Sequence, residues 1–300
     1  MAGRHNRRLT PQYLRLLFGM RRMELRSYLH DAVLKPRPDA KHVLIFAQGR
    51  SGTTLLESLL CSTGNFTGLG EPLHLHTREV WATVRHLRGL GRGAQGNVVA
   101  HVKGSQLLHE RRRPVDPYRL LRSMSAEGWS IVHVRRQGIA NQVLSECLAR
   151  SRGAYHKIDD SPEQIRPRID PQDFLMRYDR RLRFHEEDQA ALAGVPHLSL
   201  VYEHDLMDSA CHQATADRVC DWLDLPRHPV RTELRRIGAR APADQISNYD
   251  EIVSALEARG FDWFNDASEI RSNNAGVTPD QNSLGYKGLQ ATQSAPAKFS

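Results

Sequence analysis

Apolar and polar residues follow one another along this chain in a pattern typical of an α/β protein. Short apolar runs that suit buried strands occur at 42–47, 98–102, 130–134 and 197–202. Apolar residues with helical spacing occur at 53–62, 117–126, 139–151, 172–192, 213–224 and 249–259. Strands separated by helices predict a three-layer fold, with a central, mainly parallel sheet and helices on both faces. Ligands of such sheets bind beyond the carboxyl ends of the strands.

The two ends of the chain differ from this central pattern. Thr10-Pro11 is a typical helix start, and an apolar stripe flanked by arginines follows it. The stripe consists of Leu14, Leu17, Phe18, Leu25 and Leu29. We expect a basic amphipathic helical arm over 1–40, a main domain over 41–268 and a flexible tail over 269–300. Two interpretations of the arm stay open: a helix packed on the main domain with its charges in water, or a helix that contacts an anionic lipid surface.

Charge and cysteine content narrow the class of protein. The net charge is +8, and residues 1–41 alone carry +7, so the main domain is nearly neutral and is not an extended nucleic-acid-binding surface. Cys61, Cys147, Cys211 and Cys220 show neither a disulfide framework nor the spacing of a metal site. The sequence has no run of 18 apolar residues, and we expect neither a transmembrane helix nor a secretory signal. We therefore expect a cytoplasmic protein with reduced thiols and no metal ion.

The most informative segment is the turn Gln48-Gly49-Arg50-Ser51-Gly52-Thr53-Thr54, which joins the first strand to a helix. A glycine-containing turn at this position directs backbone N–H groups and the positive end of a helix dipole at one point, which predicts a P-loop-like phosphate site. Nucleoside-triphosphate loops have the pattern GxxxxGK[ST], but Ala47 replaces the first glycine and Thr53 replaces the lysine. The basic residue is Arg50. We expect this loop to bind a phosphate other than the γ-phosphate of ATP.

A second anion site is predicted where the strand 130–134 ends. Arg135 and Arg136 follow this strand, and Gly138 then leads into a helix that carries Ser145. Two guanidinium groups near a helix N-terminus suit a phosphate dianion, which accepts charge-assisted hydrogen bonds in pairs. A pair of arginines engaged in surface salt bridges would explain the same residues.

The two segments together resemble the family of sulfotransferases that use PAPS (3′-phosphoadenosine 5′-phosphosulfate). QGRSGTTLL at 48–56 is similar to the 5′-phosphosulfate loop of the family, and IVHVRRQGIANQVLS at 131–145 is similar to its 3′-phosphate segment. Further similar segments, in the family's order, are GEPL at 70–73, HVKG at 101–104, VYEHDL at 201–206 and CDWLDL at 220–225. GEPL resembles the carbohydrate-type members, and SECLAR at 145–150 resembles the bacterial nodulation-type branch. The resemblance covers about 40–265.

The resemblance implies transfer of the sulfuryl group of PAPS to an acceptor hydroxyl, of a carbohydrate or glycoconjugate, without a metal ion. It assigns the 5′-phosphate to Gln48, Gly49, Arg50, Ser51, Gly52, Thr53 and Thr54. It assigns the 3′-phosphate to Arg136 and Ser145, with Arg135 as an alternative partner. Lys103 is expected near the sulfuryl oxygens, and Arg50 near the departing phosphate. Glu71 is the expected general base, and His101, which points to the same face of its strand as Lys103, is the second candidate.

Two other functions stay open. A P-loop kinase or NTPase requires a lysine after Gly52 and an acidic strand end for Mg²⁺, where this chain has Thr53 and Arg135-Arg136. A non-enzymatic protein that binds anions or nucleic acid through the arm would bind in a salt-sensitive way, and deletion of 1–41 would abolish that binding. The acceptor is the least specified part, and a lipid-linked or small aromatic acceptor stays open as well.

Overall fold

The structure is a computed structural model, and it describes residues 11–73, 80–152, 166–234 and 241–263. The predicted tail over 269–300 lies outside these ranges.

Five strands form one sheet in the order β2-β3-β1-β4-β5, and every neighbouring pair is parallel. The strands are β1 His42–Ala47, β2 Phe66–Gly68, β3 Asn97–Val102, β4 Trp129–Arg135 and β5 His197–Val201. Because all strands run in the same direction, their carboxyl ends lie along one edge of the sheet. The predicted α/β fold with a central parallel sheet is confirmed.

Helices cover both faces of this sheet. They are α1 Pro11–Val33, α2 Thr53–Ser62, α3 Thr83–Arg92, α4 Gly104–Leu108, α5 Pro117–Ala126, α6 Ile139–Arg152, α7 Pro171–Leu192, α8 His212–Trp222, α9 Pro242–Gln245 and α10 Tyr249–Glu257. Alternate residues of β1 belong to different parts of the core. Leu44 is in the apolar cluster that includes α5, on one face of the sheet, and Ile45 is in the cluster that includes α2 and α8, on the other face. This alternation is the two-residue period of a strand that is buried on both faces.

A third apolar cluster lies beside the sheet, between α6, α7 and α10. Its largest members are Phe174, Tyr178 and Trp263, and the rings of Phe174 and Trp263 are stacked with centroids 5.7 Å apart. No helix within the described ranges is both long and apolar enough to cross a membrane.

Helix α1 packs on α3, but it does so through its polar face. Glu24, Ser27 and Asp31 are buried, whereas Phe18 and Leu25 are exposed. Helix α1 therefore packs on the domain with Arg15, Arg22 and Arg26 in water, as one of the two interpretations predicts. The buried face is a different one from that expected, because Glu24 and Asp31 lie in the interface and Phe18, Leu25 and Leu29 of the predicted stripe face outward.

The composition of α3 explains why the polar face of α1 is the buried one. Arg88 Nε donates a hydrogen bond to Asp31 Oδ1 at 2.7 Å, and Ser27 Oγ lies 2.7 Å from His86 Nδ1. A β-carbon at Gly89 would overlap the carbonyl oxygen of Ser27, so the two helices approach more closely than any other residue would allow. The interface is thus a polar contact in which α3 supplies the donors and a glycine supplies the space.

Candidate functional site

A cavity of about 1240 Å³ lies at the carboxyl ends of β1, β3 and β4. This volume exceeds the range of roughly 300–1,000 Å³ that is usual for small-molecule pockets. The cavity brings together most of the site residues that the sequence predicts. Those that line it are Gly49, Arg50, Gly52, Thr53, Thr54, Glu71, Lys103, Arg136 and Ser145.

The loop between β1 and α2 has a left-handed backbone at two positions. Arg50 has a φ of 68° and Gly52 a φ of 86°, both in the left-handed region. A non-glycine residue with positive φ is uncommon, and such residues concentrate at binding and catalytic sites. Left-handed residues in a turn direct successive N–H groups into one concave surface, and no side chain within the described residues caps the first turn of α2. The loop has the backbone geometry of an anion site.

Gln48 and Ser51 differ from the rest of the loop because both are buried on its inner side. Gln48 lies against Arg181, and Ser51 Oγ lies 3.2 Å from Gln142 Nε2, which also donates to the carbonyl oxygen of Gly49 at 2.8 Å. These contacts fix the loop from below. Gln48 and Ser51 therefore support the loop, while its other residues border the cavity.

Glu71 and Lys103 form an ion pair on the cavity wall. Lys103 Nζ lies 2.6 Å from Glu71 Oε1, and Gln106 Nε2 donates to Glu71 Oε2 at 2.8 Å. Lys103 follows the last residue of β3, and Glu71 follows the short strand β2 beside it, so the shared edge of the sheet brings them together. The carboxylate is held by two donors and still lines the cavity.

His101 lies directly behind Glu71 and is buried. Its Nε2 is 2.9 Å from Glu57 Oε2, and its Nδ1 is 3.6 Å from Glu71 Oε1. Nδ1 makes no hydrogen bond within the described part of the chain. Glu57 also accepts a hydrogen bond from the backbone N–H of Gly70 at 2.7 Å, so it fixes both the histidine and the segment before Glu71. The sequence did not single out Glu57; its signal is an acidic residue within the apolar face of α2.

Arg136 is buried and links the loop at 48–54 to the segment after β5. Its Nη1 donates to the carbonyl oxygen of Arg50 at 3.1 Å, its Nε lies 3.3 Å from Glu203 Oε1, and its guanidinium group lies over the ring of Tyr202. Glu203 also accepts the backbone N–H group of Gln137 at 3.0 Å. A carboxylate thus occupies backbone donors that precede α6, where a phosphate was expected.

Ser145 and Arg135 lie on different sides of this site. Ser145 accepts a hydrogen bond from Arg50 Nε at 3.1 Å and lines the cavity. Arg135, the last residue of β4, instead borders a small recess that contains His133 and Asp188. Burial lowers the pKa of His133 to about 3 and raises the pKa of Asp188 to about 8.

Helix α7 contributes arginines that the sequence did not identify as site residues. Arg180 and Arg181 line the cavity, and both pair with Glu146 of α6, at 2.8 Å and 2.6 Å. Burial alone would raise the pKa of Glu146, but its arginine partners outweigh burial and lower the pKa. Burial lowers the pKa of Arg181, whose guanidinium group lies against Gly49. The helix carries arginines on several faces, and helical spacing alone does not reveal which of them point inward.

The described residues contain no group of three or more His, Cys, Asp or Glu side chains that could hold a metal ion. No protein-family model matches the sequence, and no curated protein matches it. Fifteen chains of solved structures are similar to it. One of them is the mouse sulfotransferase SULT7A1 complexed with PAP, with 11% sequence identity, a TM-score of 0.38 and coverage of 68% of this chain. The match spans 65% of that chain, slightly less than two thirds of its length.

Proposed function

We propose that this chain is a sulfotransferase that uses PAPS to sulfate an acceptor hydroxyl, of a carbohydrate or glycoconjugate. One observation carries the proposal. A lysine-free anion loop, a cationic strand end and a carboxylate paired with a lysine meet in one cavity.

The residues present fit a ligand with two separate phosphate positions. PAPS supplies an activated sulfuryl group and carries its second phosphate on the ribose. The left-handed turn at Arg50 and Gly52, with the start of α2, would hold the 5′-phosphate through backbone N–H groups. Arg136 and Ser145 would hold the 3′-phosphate through their side chains, because Glu203 already takes backbone donors before α6. Arg180 and Arg181 add positive charge to the same cavity.

Glu71 fits the role of general base better than His101. Its carboxylate lines the cavity, whereas His101 is buried with Nε2 committed to Glu57. Lys103 and Gln106 hold the carboxylate in one orientation, so a hydroxyl that enters the cavity meets a fixed proton acceptor. Lys103 and Arg50 are the cations available to stabilise charge that develops on the transferred group and on the departing phosphate.

A phosphotransferase that uses ATP–Mg²⁺ fits this cavity less well. Mg²⁺ at such a site requires carboxylate ligands. Glu71 and Glu146 line the cavity, but Glu71 is paired with Lys103, and Glu146 is paired with Arg180 and Arg181. Thr53 stands where the loop lysine would contact the γ-phosphate.

The direct test is an assay with radiolabelled PAPS and a panel of acceptors: oligosaccharides, glycolipids and phenols. We expect the label on a carbohydrate hydroxyl. If only phenols are labelled, the proposed acceptor class is wrong, but the proposed sulfuryl transfer is supported. If no acceptor is labelled while the protein binds 3′-phosphoadenosine 5′-phosphate, the proposed transfer reaction is wrong and only the nucleotide site stands.

A further inference from the structure

The outward face of α1 carries several large, exposed apolar side chains. Phe18, Leu25, Leu29 and Val33 are 74%, 57%, 61% and 68% exposed. Their spacing of seven, four and four residues places them on one side of the helix, and we call them the outer stripe. Several large apolar side chains exposed on one face of a helix indicate an interaction surface.

The opposite face of α1 holds the outer stripe in this orientation. Asp31 is buried and pairs with Arg85 and Arg88 of α3, at 3.0 Å and 2.7 Å. Rotation of the helix to bury the stripe would separate Asp31 from both arginines and Ser27 from His86. The exposure of the stripe is therefore a consequence of how α1 is anchored.

The same anchoring separates the charges of α1. Both acidic residues of the helix, Glu24 and Asp31, are buried on the inner face, while Arg15, Arg22 and Arg26 are exposed. Arg22 lies between Phe18 and Leu25 on this face, and Arg26 follows Leu25 directly. We call these two residues the arginine border of the stripe, and no acidic residue of the helix is exposed beside them. Apolar side chains bordered by arginines are complementary to an anionic lipid surface.

An exposed tryptophan lies beside this face. Trp81, just before α3, is 68% exposed, and the guanidinium group of Arg21 lies 3.9 Å from its ring centroid. Its backbone N–H donates to Glu24 Oε1 at 2.8 Å, so the tryptophan is fixed to α1. Tryptophan is enriched where proteins meet the headgroup region of a bilayer.

We infer that the outer stripe, its arginine border and Trp81 form a docking surface for an anionic lipid bilayer. This inference does not depend on the proposed activity. A second copy of the chain is a poorer occupant, because it would bring the same cationic border against this one.

The test is flotation of the full chain with vesicles of phosphatidylcholine, with and without phosphatidylserine. We expect flotation with the anionic vesicles only, and weaker flotation at high salt. Trp81 should show a blue-shifted emission on binding, and Trp81→Ala should weaken binding while Trp222→Ala, at the other exposed tryptophan, should not.

Two sets of variants separate the apolar and cationic contributions. The triple variant Phe18→Ser, Leu25→Ser and Leu29→Ser should abolish flotation, while Met176→Ser, a comparably exposed apolar residue on α7, should leave it unchanged. The pair Arg22→Gln and Arg26→Gln should lower the partition coefficient roughly 25-fold, since each surface arginine contributes about a factor of five. These positions avoid the anchoring residues, so the thermal unfolding of the variants should match that of the native chain.

Three results would overturn the inference. The native chain could fail to float with anionic vesicles, or the triple variant could float as well as the native chain. Analytical ultracentrifugation could show that the native chain self-associates and that the triple variant does not, which would assign the stripe to a second copy.

Discussion

The backbone conformation of single residues in the loop at 48–54 determines how neighbouring side chains pack around the cavity. Gly52 has a φ of 86°, and a β-carbon there would lie 2.8 Å from Tyr202 Cδ2. Tyr202 in turn supports the guanidinium group of Arg136. A substitution at Gly52 therefore acts on both predicted phosphate positions.

We predict that Gly52→Ala destabilises the protein more than Gly128→Ala. Both glycines have a φ of 86°, so both alanines meet the same backbone strain of about 1 kcal/mol. Only Gly52 has a close neighbour, and displacement of Tyr202 should cost about 1 kcal/mol more in the free energy of unfolding. Urea unfolding measures the difference, and equal destabilisation by the two variants would contradict the crowding at Gly52.

We predict that Glu71→Gln lowers turnover by about 100-fold or more and leaves the binding of 3′-phosphoadenosine 5′-phosphate unchanged, because a general base typically contributes this factor. Glutamine keeps an acceptor for Lys103 but cannot take a proton. The matched control is Glu110→Gln, an exposed carboxylate that lines the same cavity. If turnover of Glu71→Gln is unchanged under conditions in which the acceptor step limits the rate, Glu71 is not the general base.

The sequence was sufficient for site residues that follow directly from the strand pattern. Glu71, Lys103 and Arg136 follow the carboxyl ends of the parallel strands β2, β3 and β4, so topology alone brings them to one edge of the sheet. Glu203 and Arg181 could not be foreseen in the same way, because their positions depend on which side of a turn or helix faces the cavity. That choice is made by tertiary packing.

Elements were predictable where apolar periodicity is strong. The helices α2 and α5 have the bounds that the sequence predicts. Strand β2 was missed because it has three residues, and α3 was missed because Gly89 and Gly91 lie within it and glycine disfavours helices. The prediction of which face of α1 is buried was wrong, because α1 packs on the polar side chains of α3. Helix α3 is the element that the sequence pattern did not reveal.

At the scale of elements, we predict that Gly89→Ala detaches α1 from α3. The added β-carbon would overlap the backbone of Ser27, and backbone cannot move aside as a flexible side chain can. The free energy of unfolding should fall by about 1–3 kcal/mol, and trypsin should cut within α1 more rapidly. Gly96→Ala, which has open space around it, is the control. Equal trypsin resistance of the two variants would show that α1 is not anchored through this contact.

The free energy of unfolding of the whole molecule should depend on pH because of the buried recess that contains His133 and Asp188. Burial raises the pKa of Asp188 from 3.8 to about 8, so the folded state retains a proton that the unfolded state loses. The stabilisation of the folded state by this proton is complete below pH 4 and is lost as the pH rises through about 8. The loss is up to about 1.4 kcal/mol in the free energy of unfolding per pH unit. Burial also lowers the pKa of His133 from 6.5 to about 3, which has the opposite effect below pH 6.5.

We therefore predict that the stability of the native chain falls between pH 6.5 and pH 8, and that Asp188→Asn flattens this decline. Urea unfolding across this window measures both, with Asp39→Asn as a control at an exposed position. Parallel curves for the native chain and Asp188→Asn would contradict a protonated Asp188.

The central claim is that the cavity recognises a nucleotide with a separate 3′-phosphate. Isothermal titration with 3′-phosphoadenosine 5′-phosphate, adenosine 5′-phosphate and ATP–Mg²⁺ tests it most directly. We predict that the 3′-phosphate strengthens binding at least tenfold over adenosine 5′-phosphate, about 1.4 kcal/mol, and that Arg136→Ala removes this difference. Tight binding of ATP–Mg²⁺, with equal affinity for the two adenosine phosphates, would contradict the claim.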